Sequence, residues 1–119
     1  NFPTPEGRLK RFVQVMVNSR EATAQFGCPM GTLNAELAKD QRDIQVRART
    51  MFQRLVDYLT EQFMDCGHDG DNARALAWDL LSRAQGVNMM THVFGNADYL
   101  LQQQASLNHW IEARTSTAR

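Results

Sequence analysis

One short stretch, residues 26–37, combines a turn, a thiol and the start of a helix, and it holds the side chain best suited to chemistry, Cys28. Pro29 follows directly. Because proline lacks a backbone N–H and has a preset φ, it suits the first helical position and puts Cys28 at the N-cap. The helix dipole there favours the nucleophilic thiolate, whereas burial opposes it. Cys28 is therefore either a sensor thiol or, as is commoner for a free cysteine, a small buried apolar residue.

The loop over residues 65–71 holds a cysteine, a histidine and three aspartates, a composition that suggests metal binding. If an EF-hand began at its first residue, Gly67 would take the third ligand position and Leu76 that of the bidentate glutamate, so calcium is not expected. Cys66 and His68 supply two zinc ligands, but the two further ligands of a closed site are not evident. We predict a polar turn in which Asp69 or Asp71 caps the next helix.

No arrangement typical of an enzyme is visible elsewhere. His92 and His109 have neither a nucleophile nor a carboxylate at a telling spacing. A glycine-rich phosphate loop, a His-Glu zinc motif and a Gly-x-Ser-x-Gly elbow do not occur in the sequence. We expect no catalytic site, no metal and no cofactor.

Four arginines spread around one predicted helix: Arg42, Arg47, Arg49 and Arg54. Acidic residues offset them, which indicates a solvated surface rather than a nucleic-acid face. Over the whole chain, thirteen basic and thirteen acidic side chains cancel. The overall charge therefore does not attract the chain to nucleic acid or to an anionic membrane.

Length and composition favour one domain. The 119 residues are 43% hydrophobic, which is enough for a single core and too little for two. No apolar run reaches the length of a transmembrane span, and two cysteines do not make a disulfide framework. We expect a soluble, cytoplasmic protein.

Glycine and proline cluster at turns, and the sequence between them has a helical period. The spacing predicts an amphipathic helix from Pro5 to about Thr23, with Thr4 as its N-cap. Four further helices are predicted with approximate bounds 29–39, 43–65, 72–94 and 97–114. In the long helix over 43–65, the residues expected to be buried are Ile44, Ala48, Met51, Phe52, Leu55, Leu59 and Phe63.

The helix predicted over residues 72–94 is apolar on two opposite sides. One stripe consists of Ala73, Leu76, Ala77, Leu80, Ala84, Val87 and Phe94, and the other of Ala75, Trp78, Ser82, Gly86, Met89 and Val93. A helix in so small a domain buries one stripe in its own core, and the second needs another cover. Glycine inside a helix costs about 1 kcal/mol, so Gly86 fits a close crossing with a partner.

We therefore predict a homodimer interface along the second stripe, joined by Tyr99 and Trp110 of the last helix. The alternative is that the monomer covers both stripes.

Two segments carry a family resemblance: Gly27-Cys28-Pro29-Met30-Gly31-Thr32-Leu33 with Glu36-Leu37 after it, and Ala77-Trp78-Asp79-Leu80-Leu81-Ser82-Arg83-Ala84-Gln85-Gly86. Together with the order of the helices, they resemble the C-terminal regulatory domain of tetracycline-repressor-like (TetR family) transcription regulators. The resemblance covers nearly the whole chain. It implies an all-α fold of about five helices, in which the last two helices of each subunit form a four-helix dimer bundle.

The resemblance also implies the partners. Members of the family bind a small-molecule effector in a mostly apolar cavity of each subunit. They carry an N-terminal helix-turn-helix module, for which this sequence offers no candidate. Operator DNA is therefore expected to be bound only through a module missing from this chain, and the implied function is that of a regulator, by expectation a repressor.

On this basis we expect a ligand cavity among four helices, with amides as polar handles and with methionine and aromatic side chains that tolerate varied ligand shapes. The candidate lining residues are Phe12, Met16, Met30, Leu33, Met51, Phe52, Leu55, Tyr58, Leu81, Gln85, Asn88 and Met89. The ligand would move the first helix by binding one arrangement of the dimer better than another. Two alternatives are a helical interaction module with a solid core and a thiol sensor that acts through Cys28.

Overall fold

The computed structural model describes residues 3–28 and 42–116, and over these residues it is helical with short turns. In chain order the helices are α1 (Pro5–Asn18), α2 (Arg20–Phe26), α3 (Arg42–Asp65), α4 (Gly70–Val93) and α5 (Ala97–Thr115). The predicted helix over 29–39, with Met30 and Leu33, lies outside the described residues, and so does the side chain of Ile44. The last three helices agree with the predicted bounds to within two residues.

Side chains cap the helices where the sequence predicts caps. Thr4 Oγ1 accepts a hydrogen bond from Gly7 N at 3.0 Å, and Pro5 takes the first helical position of α1. Asp69 Oδ1 accepts from Asn72 N at 2.8 Å at the start of α4. Each cap satisfies a backbone donor that the first turn of a helix leaves open.

The first predicted helix is interrupted, contrary to the expectation of a continuous helix to Thr23. α1 ends just before Ser19, which has φ −97° and ψ 12°, and α2 then runs to Phe26. The Ser19 N–H is shared between the carbonyls three and four residues back, at 3.1 and 3.2 Å. Asparagine and serine are poorer helix formers than alanine or leucine, which favours a break at this pair. Gly27, with φ 84°, ends α2 in a conformation that favours glycine.

One core joins the described helices. Its largest fully buried side chains include Leu9, Leu59, Phe63, Leu80, Leu100 and Ile111. α3 and α4 form an antiparallel hairpin, α1 packs against α5 and α3, and α2 packs against α4 and α5. None of the described helices is both long and apolar enough to cross a bilayer.

Two side chains predicted to be buried are exposed, namely Met51 at 54% and Phe94 at 70%. The buried face of α3 is rotated from the prediction and includes Val56 instead of Met51. Phe94 follows the last residue of α4, so the turn carries it away from the core. The core also takes in the amide of Gln62, whose Oε1 accepts from Arg8 Nε at 2.7 Å.

α4 lies at the centre of the fold and is apolar on two sides, as predicted. Ala73, Ala77 and Leu80 of its first stripe are fully buried. On the second stripe Trp78 and Val93 remain 53% and 66% exposed. The described part of the chain thus leaves much of the second stripe uncovered.

Candidate functional site

A pocket of about 370 Å³ lies between α3 and α4 and is partly open to solvent. Its lining residues are Gln45, Arg49 and Phe52 from α3 and Trp78, Leu81, Ser82 and Gln85 from α4. Apolar surface predominates, with a few polar side chains among it. Both the size and this mixture are typical of sites that bind small organic molecules.

The pocket walls are one face of each helix. Along α3 the lining residues recur at intervals of four and three, and along α4 they recur at three, one and three. These intervals keep side chains on the same side of a helix. Leu81, 5% exposed, forms part of the floor, whereas Trp78 stands at the rim with half of its surface exposed.

An exposed ion pair between the same two helices gives a reference point for how the walls face each other. Arg74 Nη1 lies 3.3 Å from Asp57 Oδ1 near the turn between α3 and α4. Both helices rise about 1.5 Å per residue. A residue of α3 that precedes Asp57 by some number of positions therefore lies level, along the hairpin axis, with the residue of α4 that follows Arg74 by the same number. Within one residue, the facing pairs are Phe52 with Trp78, Arg49 with Ser82, and Gln45 with Gln85.

The pocket is thus layered along the hairpin. The aromatic layer, Phe52 and Trp78, lies nearest the turn. The cationic layer, with Arg49 and Ser82, follows, and the amide layer, Gln45 and Gln85, lies farthest from it.

Three of the residues predicted to line a cavity do line this pocket: Phe52, Leu81 and Gln85. Three more, Phe12, Met16 and Leu55, are half-buried against the core instead. They belong to the packing behind the pocket walls.

Other predicted lining residues point elsewhere. Met51, Tyr58 and Met89 are 54%, 40% and 61% exposed and do not line the pocket. Asn88 lies one turn beyond Gln85 and is 7% exposed. Its Oδ1 is buried and has no hydrogen-bond partner among the described residues, so the predicted polar handle lies in the protein interior.

Four residues that line the pocket were not predicted to do so. Arg49 was expected on a solvated surface, and Trp78 and Ser82 were expected in the dimer stripe. Gln45 had no expected role. The spacing of four and three that joins Gln45, Arg49 and Phe52 was a visible signal of one helix face. The facing wall could not be assigned from it, because the contact between α3 and α4 depends on their register.

Beyond the pocket, α4 and the start of α5 expose a broad apolar surface, which we call the outer face. Its large members are Met89, Met90, Val93, Phe94 and Leu101. The small predicted interface residues Ala75 and Gly86 are exposed as well. A Cβ built on Gly86 meets no described atom within 4 Å, so the described part of the chain does not itself require glycine there.

Trp110 lies in the core rather than on the outer face. Its side chain is 8% exposed and packs edge-on against Phe63, with ring centroids 6.3 Å apart. The guanidinium carbons of Arg114 and Arg83 lie 4.2 and 5.1 Å from its ring centroid. Little of Trp110 is left for a second subunit, and Tyr99 too is half-buried against the core.

The two thiols differ in their surroundings. Cys28 is half-buried at the end of the first described segment, and the helix expected to begin after it lies outside the described residues. Cys66 is half-buried beside α4, and burial raises the pKa of its thiol, with Glu6 and Asp65 adding to the shift. No reactive arrangement involves either thiol within the described ranges.

Two of the histidines that the sequence analysis considered make structural contacts. His68 Nε2 lies 2.6 Å from the carbonyl oxygen of Arg114, and His92 Nδ1 lies 3.2 Å from that of Ala24. A carbonyl only accepts, so each ring donates its N–H. Over residues 3–28 and 42–116, no three His, Cys, Asp or Glu side chains are grouped closely enough to hold a metal.

A family model matches most of the chain. Residues 5–106 match the family model described as the transcriptional regulator LmrA/YxaF-like, C-terminal domain. The match includes the whole pocket and extends from α1 to the middle of α5. No curated protein matches the sequence.

Proposed function

The chain belongs to the TetR family of transcription regulators, as a C-terminal domain of the LmrA/YxaF-like type, and from this premise we propose that it binds a small effector in the pocket between α3 and α4. The family is one of regulators and not of enzymes. The observation that supports effector binding most directly is the pocket itself, about 370 Å³ with apolar walls and a few polar side chains.

The effector acts by stabilising one arrangement of the helices over another. α4 supplies one wall of the pocket and packs against α2, α3 and α5. The same helix carries Met89 and Val93 of the outer face. A ligand that separates α3 from α4 therefore also shifts the surface through which we propose that a second subunit binds.

The domain acts in a homodimer, and it reaches operator DNA only through the helix-turn-helix module typical of the family. Support for the dimer comes from the outer face, where Met89, Val93 and Phe94 are each more than 60% exposed. Exposed apolar surface of this extent commonly marks an interface. Such a regulator, by this proposal a repressor, works in the cytoplasm.

A neutral fluorescent probe tests the pocket. N-phenyl-1-naphthylamine is apolar and brightens when it leaves water, and we expect the chain to bind it saturably with one site per subunit. Ser82→Trp fills the cationic layer and should weaken binding at least about tenfold, since an indole occupies the space the probe needs. Fluorescence titration measures both constants.

Thr50→Trp is the matched control, because Thr50 is exposed on α3 and does not line the pocket. It adds the same indole and should leave the affinity within about twofold. If Ser82→Trp folds as the wild type does by circular dichroism and binds the probe equally well, the pocket is not the binding site. A charge at Met51 would not serve as this test, since that side chain is exposed and lies away from the pocket.

A further inference from the structure

From the layered pocket we infer that the effector is a flat aromatic molecule that carries an acidic group, such as a carboxylate, sulfonate or ionised phenol. The inference rests on the proposed function, because it concerns the ligand of the same pocket. Three features of the pocket support the inference: the charge of its lining, its two aromatic side chains, and the distance between the aromatic layer and Arg49.

The charge of the pocket favours an anion. Of the described lining residues, Arg49 alone has a formal charge, and none is acidic. Within the described part of the chain no ion pair involves Arg49, whereas Asp57 of the same helix is already paired with Arg74. Arg49 is exposed, so a ligand can reach its guanidinium, and the fork of donors on that group matches a planar acid. Ser82, at the same height, adds a hydroxyl that can donate to the same group.

The shape of the pocket favours a flat ring. Phe52 and Trp78 come from opposite walls at the same height, so a ring placed in the aromatic layer meets an aromatic side chain on either side. Arg49 precedes Phe52 by three residues, which is about 4.5 Å along the helix axis. That separation fits an acid attached directly to the ring or one atom from it. The amide layer, about 6 Å farther on, can donate to or accept from a second polar substituent.

Two probes that differ only in the acid test this inference. 1-Anilinonaphthalene-8-sulfonate has the ring system of N-phenyl-1-naphthylamine plus one sulfonate. With the 119-residue chain, we expect Arg49→Gln to weaken the sulfonate probe about tenfold and to leave the neutral probe within about twofold. In the wild type, added salt should weaken the sulfonate probe alone, and Arg49→Gln should remove most of that salt dependence.

Arg47→Gln is the matched control, since Arg47 is an exposed arginine of α3 outside the pocket lining. It removes the same charge and should change neither probe by more than about twofold. The inference is overturned if Arg49→Gln changes both probes by the same factor, or if Arg47→Gln weakens the sulfonate probe as much.

The two proposals fail in different ways. If the neutral probe binds and Ser82→Trp displaces it while Arg49→Gln has no selective effect, the pocket stands and the acidic effector is wrong. If Ser82→Trp affects neither probe, the pocket assignment itself is wrong, and the inference fails with it.

Discussion

Trp110 is enclosed by groups from three helices. Phe63 of α3 meets its edge, while Arg83 of α4 and Arg114 of α5 lie against its ring. Each arginine contributes a cation–π contact worth about 0.5–1 kcal/mol at a partly exposed site, and its stem covers apolar surface. The position of Trp110 on an apolar side of its helix predicted an interface, but long charged side chains of its own subunit cover it instead.

Cys66 gives a prediction about pH at the scale of one residue. Burial, with Glu6 and Asp65, raises the pKa of its thiol above that of an unfolded chain. Ionising the thiol therefore costs more free energy in the folded protein than in the unfolded chain. The contribution of Cys66 to the free energy of unfolding is complete at pH values below the pKa of the unfolded chain, and it is lost as the pH rises through the pKa of the folded protein. Alkylation of Cys66 by iodoacetamide should follow the same shift, with its rate rising at a higher pH in the folded protein than in urea.

Peptide mapping by mass spectrometry at a series of pH values measures this rate for Cys66 separately from Cys28. The midpoint of the pH profile is the quantity to compare, because steric shielding lowers the rate without moving the midpoint. Coincident midpoints in the folded and the urea-unfolded protein would contradict the prediction.

At the scale of elements, the start of α4 depends on one carboxylate. Asp69 accepts from Asn72 N at 2.8 Å, and its other oxygen lies 3.3 Å from Asn72 Nδ2. Asp69→Ala should lower the free energy of unfolding by about 1 kcal/mol, because a first-turn N–H loses its acceptor. Urea denaturation measures the loss.

Asp69→Asn is the matched variant. Asparagine caps helices about as well as aspartate, so most of the stability should return although the charge is gone. Equal losses for the two substitutions would mean that Asp69 acts through its charge on the helix dipole and not as a cap.

The break at Ser19 also belongs to this scale. Val13 and Val17 before it and Thr23 after it are all buried, so the apolar pattern runs through the break without a change of period. The break turns α2 so that it packs on α4 and α5, where Ala24 accepts from His92. The bend arises from the local backbone conformation at Ser19, and hydrophobic spacing does not indicate where such a bend lies.

At the scale of the whole molecule, α4 carries two surfaces in succession along one side. Trp78, Ser82 and Gln85 line the pocket, and Met89 and Val93 of the outer face follow them at helical spacing toward the end of the helix. Ligand binding and assembly therefore involve the same helix. A shift of α4 caused by an effector would directly move the subunit interface that we propose.

The outer face gives a prediction about assembly. Sedimentation at micromolar concentration should give about twice the mass of one chain, and Val93→Glu should shift the population to monomers, because a charge in an apolar interface is desolvated without a partner. Helix content by circular dichroism should stay the same, since Val93 is 66% exposed in the subunit.

Val15→Glu is the control for assembly. Val15 is 48% exposed in the last turn of α1 and is not a residue of the outer face, and its substitution should leave the mass unchanged. A monomeric wild type would refute the dimer, and a dimeric Val93→Glu would refute the interface assigned to it.

The sequence by itself determined the helical class, the family and most helix ends. Helical period and caps are local: Thr4 and Asp69 satisfy donors three residues away, and Pro5 fits the first turn whatever surrounds it. The bounds of α3, α4 and α5 follow from such neighbours. The presence of two apolar stripes on α4 is also a local property of the sequence, and Val93 of the second stripe is exposed in the subunit.

Only the tertiary structure decided which side chains meet. Arg49 and Ser82 line one pocket because the packing of α3 on α4 across a short turn sets the register of two antiparallel helices. Trp110 is core because Arg83 and Arg114 reach over it from two helices. Met51 is exposed because α3 turns the side that carries Val56 toward the core. Helix spacing fixes the side on which a residue lies, but the rotation and register of the neighbouring helix decide what lies opposite, and these depend on the packing of the whole core.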